Sequence, residues 1–318
     1  MSENADPPII PYALIQSSGT LDDGDKEVVL RARQTLFRVL LNSQPPVEYD
    51  QVNTIEGQFL PRLADLDDED ALDELGDLLG PLCQPFFRTH ARIYGNDLES
   101  HLRNPEITMQ LVTKDGQPRV LELGRKEPSD NSPKPVIDAL NKYPKFELSM
   151  AQVVNVFMTR HVYEVDVNGT IFICKTGGVD YSSFAREVEI LDKITSLQLS
   201  LRTPKVEGAV GLGTECPGVL LTKICHESCL SQINIEETDV AERRKWYTQT
   251  KDLVDCLHQN DIIWGDVKAG NILIDNKRES WVVDFGGGYT EGWVSQRLQE
   301  TVEGDLEGLQ NLYRYLRL

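Results

Sequence analysis

The sequence predicts an α+β protein, and three features carry that reading. Residues 262–288, IIWGDVKAGNILIDNKRESWVVDFGGG, hold two apolar runs, NILID and WVVDF, too short for helices and rich in Ile, Val and aromatic residues. They read as a pair of strands joined by the polar turn 276–280. Residues 162–167 and 170–175 bracket Asn168-Gly169, a strong two-residue hairpin signal. Residues 236–259 show helical spacing instead, with Val240, Trp246, Leu253 and Leu257 on one stripe and Asn260 as the stop.

Composition narrows the function classes. The 318 residues carry a formal net charge of −19, which disfavours nucleic acid and anionic membranes as partners. Cys83, Cys174, Cys216, Cys225, Cys229 and Cys256 form no secreted disulfide framework. Cys225-His226-x-x-Cys229, with Cys216 upstream, lacks the spacing and the second ligand pair of a zinc site. No signal peptide and no membrane-length apolar run is read, so an intracellular, cytoplasmic chain is the expectation.

Residues 1–145 offer no catalytic constellation. Residues 1–20 are polar and read as loosely ordered. Residues 25–41 read as an amphipathic helix, with Val29, Ala32, Leu36 and Leu40 on one stripe and Asn42 and Pro45 ending it. A linker containing Pro45-Pro46 follows. Residues 60–79 read as a second helical region, with Leu63, Leu66, Leu72, Leu75 and Leu79 opposite dense acids. DLDDEDALDELG within it is no EF-hand, since Asp70 sits where glycine is required and Gly76 where glutamate is required. Residues 107–112 and 119–123 flank Asp115-Gly116 as a hairpin whose Pro118 marks an edge strand. Residues 126–144 hold four prolines and read as a linker. A mainly helical extension, 1–145, is therefore expected before a domain over 146–318.

Chemistry concentrates in that second part. Asp266, Lys268 and Asn271 lie just before the strand NILID, and Asp284 ends WVVDF. Carboxylate and amide oxygens suit Mg²⁺, and lysine supplies a point charge for phosphate. Asp266-x-Lys268-x-x-Asn271 and Asp284-Phe285-Gly286, in order and suitably spaced, resemble the catalytic loop and Asp-Phe-Gly motif of the protein kinase family. The resemblance implies a two-lobed protein kinase-like fold: a small β-rich N-lobe over 146–225 and a truncated helical C-lobe over 226–318.

By the same resemblance Lys175, ending IFICK, contacts the nucleotide α- and β-phosphates. Its partner is Glu187 on the next helix, which Asp180 or Ser183 can cap, with Glu189 as the fallback. Ile173 stands where the family has an alanine above adenine and narrows the pocket. Asp266 accepts or orients the acceptor proton, Lys268 neutralises the γ-phosphate, and Asn271 and Asp284 hold Mg²⁺. The implied activity transfers the γ-phosphate of Mg-ATP to a protein Ser/Thr or a small-molecule hydroxyl. The alternative is a pseudokinase-type nucleotide-binding or scaffold protein.

The chain also departs from the family: the glycine-free loop, Ile173 and the shortened C-lobe favour the alternative, while intact Lys175, Asp266, Lys268, Asn271 and Asp284 favour transfer. Residues 153–161, VVNVFMTRH, contain no glycine where a glycine-rich loop belongs. The glycines of GAVGLG (208–213) follow the lysine and read as turn residues before a strand over 219–222, with a hinge near 223–225. Trp264-Gly265 replaces His-Arg, leaving an aromatic to fill the apolar seat but no arginine to clamp a phosphorylated loop. Phosphorylation of Thr290, Ser295 or Thr301 is therefore expected not to switch the protein on, and alanine at all three to leave activity intact. No Ala-Pro-Glu follows Gly286, and Asp305 opens a final helix.

Overall fold

A computed structural model describes residues 8–18, 26–42, 54–64, 70–126, 137–178 and 180–318. Two compact units result, Met1–Asn131 and Ser132–Leu318. The α+β expectation holds: both units combine sheets with helices. Among the described residues no helix is long and apolar enough to cross a membrane.

The first unit contains β1 (Tyr12–Ser18), β2 (Lys26–Ala32), β3 (Thr35–Leu41), α1 (Ile55–Ala64), α2 (Ala71–His90), α3 (Leu98–Leu102), β4 (Glu106–Lys114) and β5 (Gln117–Lys126). Its sheet runs β1-β2-β3-β4-β5. β3 and β4 pair in parallel, and the three helices form the crossover between them.

This overturns the helix expected over 25–41, of which residue 25 itself lies outside the described residues. Residues 26–41 form a hairpin, with Val28, Leu30 and Ala32 from β2 and Phe37, Val39 and Leu41 from β3 fully buried. That alternation has the period of a strand, and the stripe Val29, Ala32, Leu36, Leu40 coincided with helical spacing by chance. The turn carries neither Gly nor Asn: Arg33 adopts φ 55°. It is fixed from afar, by Gln34 N donating to Arg92 O at 3.1 Å and Gln34 Nε2 to Gly95 O at 3.0 Å.

The mainly helical extension is thus corrected to a mixed five-stranded sheet with helices packed on it. Leu75, Leu79 and Phe87 of α2 share a core with the β2–β3 hairpin. The second helical region resolves into α1 and α2, the latter continuing through Pro81 and Pro85 to His90. Asp115-Gly116 does turn a hairpin, and β5, with Pro118, is an edge strand. Residues 1–7 and 19–20 of the polar start, the Pro45-Pro46 linker, the acidic stretch 65–69 and residues 127–136 of the second linker lie outside the described residues.

The second unit contains β6 (Lys145–Phe146), β7 (Gln152–Met158), β8 (Val162–Val167), β9 (Thr170–Thr176), α4 (Tyr181–Ser196), β10 (Val206–Val210), β11 (Gly218–Thr222), β12 (His226–Cys229), α5 (Val240–His258), β13 (Ile272–Asp275), β14 (Ser280–Val282) and α6 (Val302–Tyr315). One sheet runs β6-β10-β11-β9-β8-β7 and a second runs β12-β13-β14. A single core draws Phe184, Val188 and Leu191 from α4, Trp246 and Leu257 from α5, Ile272 and Val282 from the second sheet, and Leu309 and Leu312 from α6. Ile137 and Leu140 join it from ahead of β6, and 138–142, expected as linker, form a 3-10 turn.

Local expectations mostly match here. Asn168 (φ 55°) and Gly169 (φ 84°) turn the β8–β9 hairpin. Two details differ. Gly208 lies within β10, leaving Gly211 and Gly213 as the positive-φ turn glycines of GAVGLG. Val240, expected in the buried stripe of α5, is exposed at the first turn of the helix.

Candidate active site

Four elements deliver the candidate residues. β9 runs between β8 and β11, so its side chains are held by strands on both sides. Lys175 sits near its end, opposite Val162 and Val219. α4 follows, with Asp180 as N-cap accepting from Ser183 N at 3.1 Å, which settles the cap in favour of Asp180. The buried face of α4 carries Phe184, Val188 and Leu191, and Glu187 is buried beside them. The fallback Glu189 is exposed and takes no part.

Lys175 Nζ donates to both carboxylate oxygens of Glu187 at 2.8 Å and to Asp284 Oδ1 at 2.9 Å. Burial works against the Lys175 ammonium, but the charges of Glu187 and Asp284 outweigh it and hold its pKa above that of an ordinary lysine. Burial pushes the Glu187 carboxyl up, against the pull of Lys175. Burial also works to raise Asp284, but Lys175 and Lys268 draw it below the usual carboxylate range. Asp284 adopts φ 64°, a backbone setting that aspartate tolerates better than most residues.

Asp266, Lys268 and Asn271 form a second group. Asn271 Nδ2 donates to Asp266 O at 3.0 Å and to Asp266 Oδ2 at 2.8 Å, and Lys268 Nζ lies 2.7 Å from that same Oδ2. Val283 N donates to Asn271 O at 3.0 Å, which ties this loop to the residue before Asp284. Ile173 lies two residues before Lys175 on β9, half-buried and packed against the core.

The loop is suspended from α6. Buried Asp305 accepts from Trp264 N at 2.9 Å, Gly265 N at 2.8 Å and His258 Nε2 at 2.8 Å. The Trp264 ring is fully buried, as expected of an aromatic in that seat, and its Nε1 donates to Asp284 O at 2.9 Å.

Three residues of the site escaped the sequence reading. Thr290 Oγ1 donates to Asp266 Oδ1 at 3.2 Å and accepts from Lys268 Nζ at 3.0 Å. These contacts join Thr290 to two of the candidate residues, which the expectation for alanine at Thr290 did not take into account. Ser295 instead bonds Glu307, and Thr301 caps α6. Arg186, next to Glu187, donates to the carbonyls of Ile263, Trp264 and Phe285. Burial and the charge of Lys175 hold His161 below the usual histidine pKa. Only Arg186 had a local signal, being adjacent to Glu187 on the same helix.

The glycine-free β7–β8 turn is tied down. Thr176 Oγ1 donates to Arg160 O at 2.7 Å and Thr176 N to His161 O at 2.9 Å, while Phe157 and Met158 stay exposed.

Among the described residues no three His, Cys, Asp or Glu side chains converge as a metal cluster. Asp284 and Asn271 nevertheless fit Mg²⁺, which takes one or two carboxylates and completes its shell with water and substrate phosphate. The Asn271 amide nitrogen is committed to Asp266, which leaves its oxygen available.

No family model matches the chain. A stretch of 69 residues, 21% of this chain, is 35% identical to part of the serine/threonine-protein kinase kin-29 of Caenorhabditis elegans and spans 8% of that protein. That similarity points to a protein kinase-like segment within this chain.

Proposed function

We propose that residues 146–318 form a two-lobed protein kinase-like domain, with lobes over 146–225 and 226–318, acting as an ATP-dependent phosphotransferase on a protein Ser/Thr or small-molecule hydroxyl. The carrying observation is that Lys175 Nζ bridges Glu187 and Asp284, residues 12 and 109 positions away. Three buried or half-buried charges drawn together from distant segments have a high desolvation cost, and a phosphate site gives them a use.

In this reading Asp266 takes the proton of the acceptor hydroxyl as its oxygen bonds to the γ-phosphorus. The bond from that phosphorus to the β-phosphate bridging oxygen breaks, and ADP leaves. Lys175 orients the α- and β-phosphates, and Lys268 offsets charge on the γ-phosphate. Asn271 fixes the Asp266 carboxylate, and Asn271 and Asp284 would hold Mg²⁺, whose contribution is to neutralise charge on the β- and γ-phosphate oxygens.

A binding-only reading has one observation in its favour. The β7–β8 turn has no glycine, and its backbone amides are already committed, Arg160 N to the Tyr163 hydroxyl at 2.6 Å and His161 N to Met158 O at 3.0 Å, so they are not free to close over phosphate. ATP turnover by the purified full chain, beside Asp266→Asn, separates the two. Transfer predicts a loss of roughly 10²–10³-fold in the variant. Turnover equal in both proteins, or absent from both, contradicts transfer.

A further inference from the structure

Gly265 leaves a hole in the loop that carries Asp266, and α4 fills it. Gly265 has φ 89°, and a Cβ built on it would stand 2.7 Å from Arg186 Nη2 and 3.2 Å from Arg186 Cζ. The guanidinium therefore occupies the volume a side chain at 265 would claim. From there it donates to Ile263 O at 3.1 Å, Trp264 O at 3.1 Å and Phe285 O. These three acceptors lie on two segments, one leading to Asp266 and the other immediately after Asp284.

Its neighbours on α4 reach the same region. Ser183 Oγ donates to Gly286 O at 2.9 Å, Glu187 Oε1 accepts from Phe285 N at 3.5 Å, and Lys193 Nζ donates to Asp261 O at 3.0 Å. Positions 183, 186 and 187 share one face of the helix. A planar fork with five N–H donors can serve several carbonyls at once, which an ammonium on a flexible stem cannot do with the same geometry.

We propose that Arg186 is a positioning residue that locks Glu187, the Asp266 loop and the Asp284 segment into one assembly, in place of the side chain that Gly265 lacks. The catalytic consequence rests on the phosphotransferase reading; the lock itself does not. The lock is made within the folded chain, so the assembly needs no phosphate on residues 287–301 to form.

The test uses the full chain with Arg186→Ala, Arg186→Lys, Glu187→Ala and the double variant Arg186→Ala/Glu187→Ala. Hydrogen exchange without nucleotide reads the lock. Amides of 181–196 and 262–266 are expected to exchange faster in both Arg186 variants, with 206–222 unchanged. Turnover reads its consequence. Arg186→Ala is expected to lower kcat by roughly 10²-fold, the scale of a misplaced catalytic group, with KM for ATP moving much less. Because Arg186 and Glu187 both bond Phe285, one at its carbonyl and one at its amide, the double variant should lose less than the two single losses combined.

Wild-type exchange in Arg186→Lys or Arg186→Ala, or fully additive losses in the double variant, would overturn the proposal. If the wild-type chain turns over no ATP, the phosphotransferase reading fails alone, and exchange still decides the lock.

Discussion

Replacing Asp305 by alanine cuts the loop carrying Asp266 away from α6. The carboxylate is 1% exposed and accepts from Trp264 N at 2.9 Å, Gly265 N at 2.8 Å and His258 Nε2 at 2.8 Å. A hydrogen bond to a charged group contributes ~1.5–3 kcal/mol, and each buried N–H left without a partner costs ~1–3 kcal/mol. These ranges describe overlapping quantities, so the net loss expected is ~3–5 kcal/mol, as for breaking a buried charged pair. For a unit the size of residues 132–318 this lowers Tm by on the order of 10 °C. Thermal unfolding of the full chain followed by circular dichroism measures it. Asp305→Asn keeps one oxygen to accept a backbone N–H and should fall between wild type and alanine. A loss below about 1 kcal/mol in the alanine variant would refute the suspension argument, since a single bond to a charged group exceeds that.

Other outcomes follow from the same contacts. Asp284 has its pKa held below the ordinary aspartate value of about 3.9, so its stabilising contribution is complete above that pH and fades as pH falls through the lower folded value. The stability gap between wild type and Asp284→Asn should therefore stay constant from neutrality down to about pH 4 and close only below it; closure between pH 6 and 8 would point to another group. Thr290→Ala removes one bonded hydroxyl from Asp266 and Lys268 and should lower turnover about tenfold, the equivalent of one hydrogen bond, whereas Thr290→Ser should retain most of it. Gly265→Ala forces a Cβ into the left-handed region and against Arg186, and should destabilise the fold by about 1–3 kcal/mol in urea titration.

The second unit was readable because its signals are local. Asn168-Gly169 suits only one kind of turn, Asp180 caps the helix it precedes, and the Asp266 and Asp284 motifs are short. Glu187 could be chosen over Glu189 by its spacing from Leu191, and burial agrees. The first unit misled because its signals are not local. The Arg33-Gln34 hairpin turn is held by bonds from Gln34 to Arg92 and Gly95 and from Arg33 to Ala91, some sixty residues on. Nothing within 26–41 announces that turn, and a stripe of helical spacing filled the gap. Thr290 was missed for the same reason, since it acquires its role from a carboxylate that only folding brings near, whereas Arg186 had a local cue in its place beside Glu187.

On the proposed function, Lys175, Glu187, Asp266, Asn271 and Asp284 converge on one Mg-bound triphosphate. Thermal shift of the full chain with Mg-ATP tests it most directly, since ligand at 100 times its dissociation constant adds ~2.7 kcal/mol to stability. Wild type is expected to show a shift that needs Mg²⁺ and is lost in both Lys175→Ala and Asp284→Ala. No shift in wild type, or an equal shift in all three proteins, would contradict it.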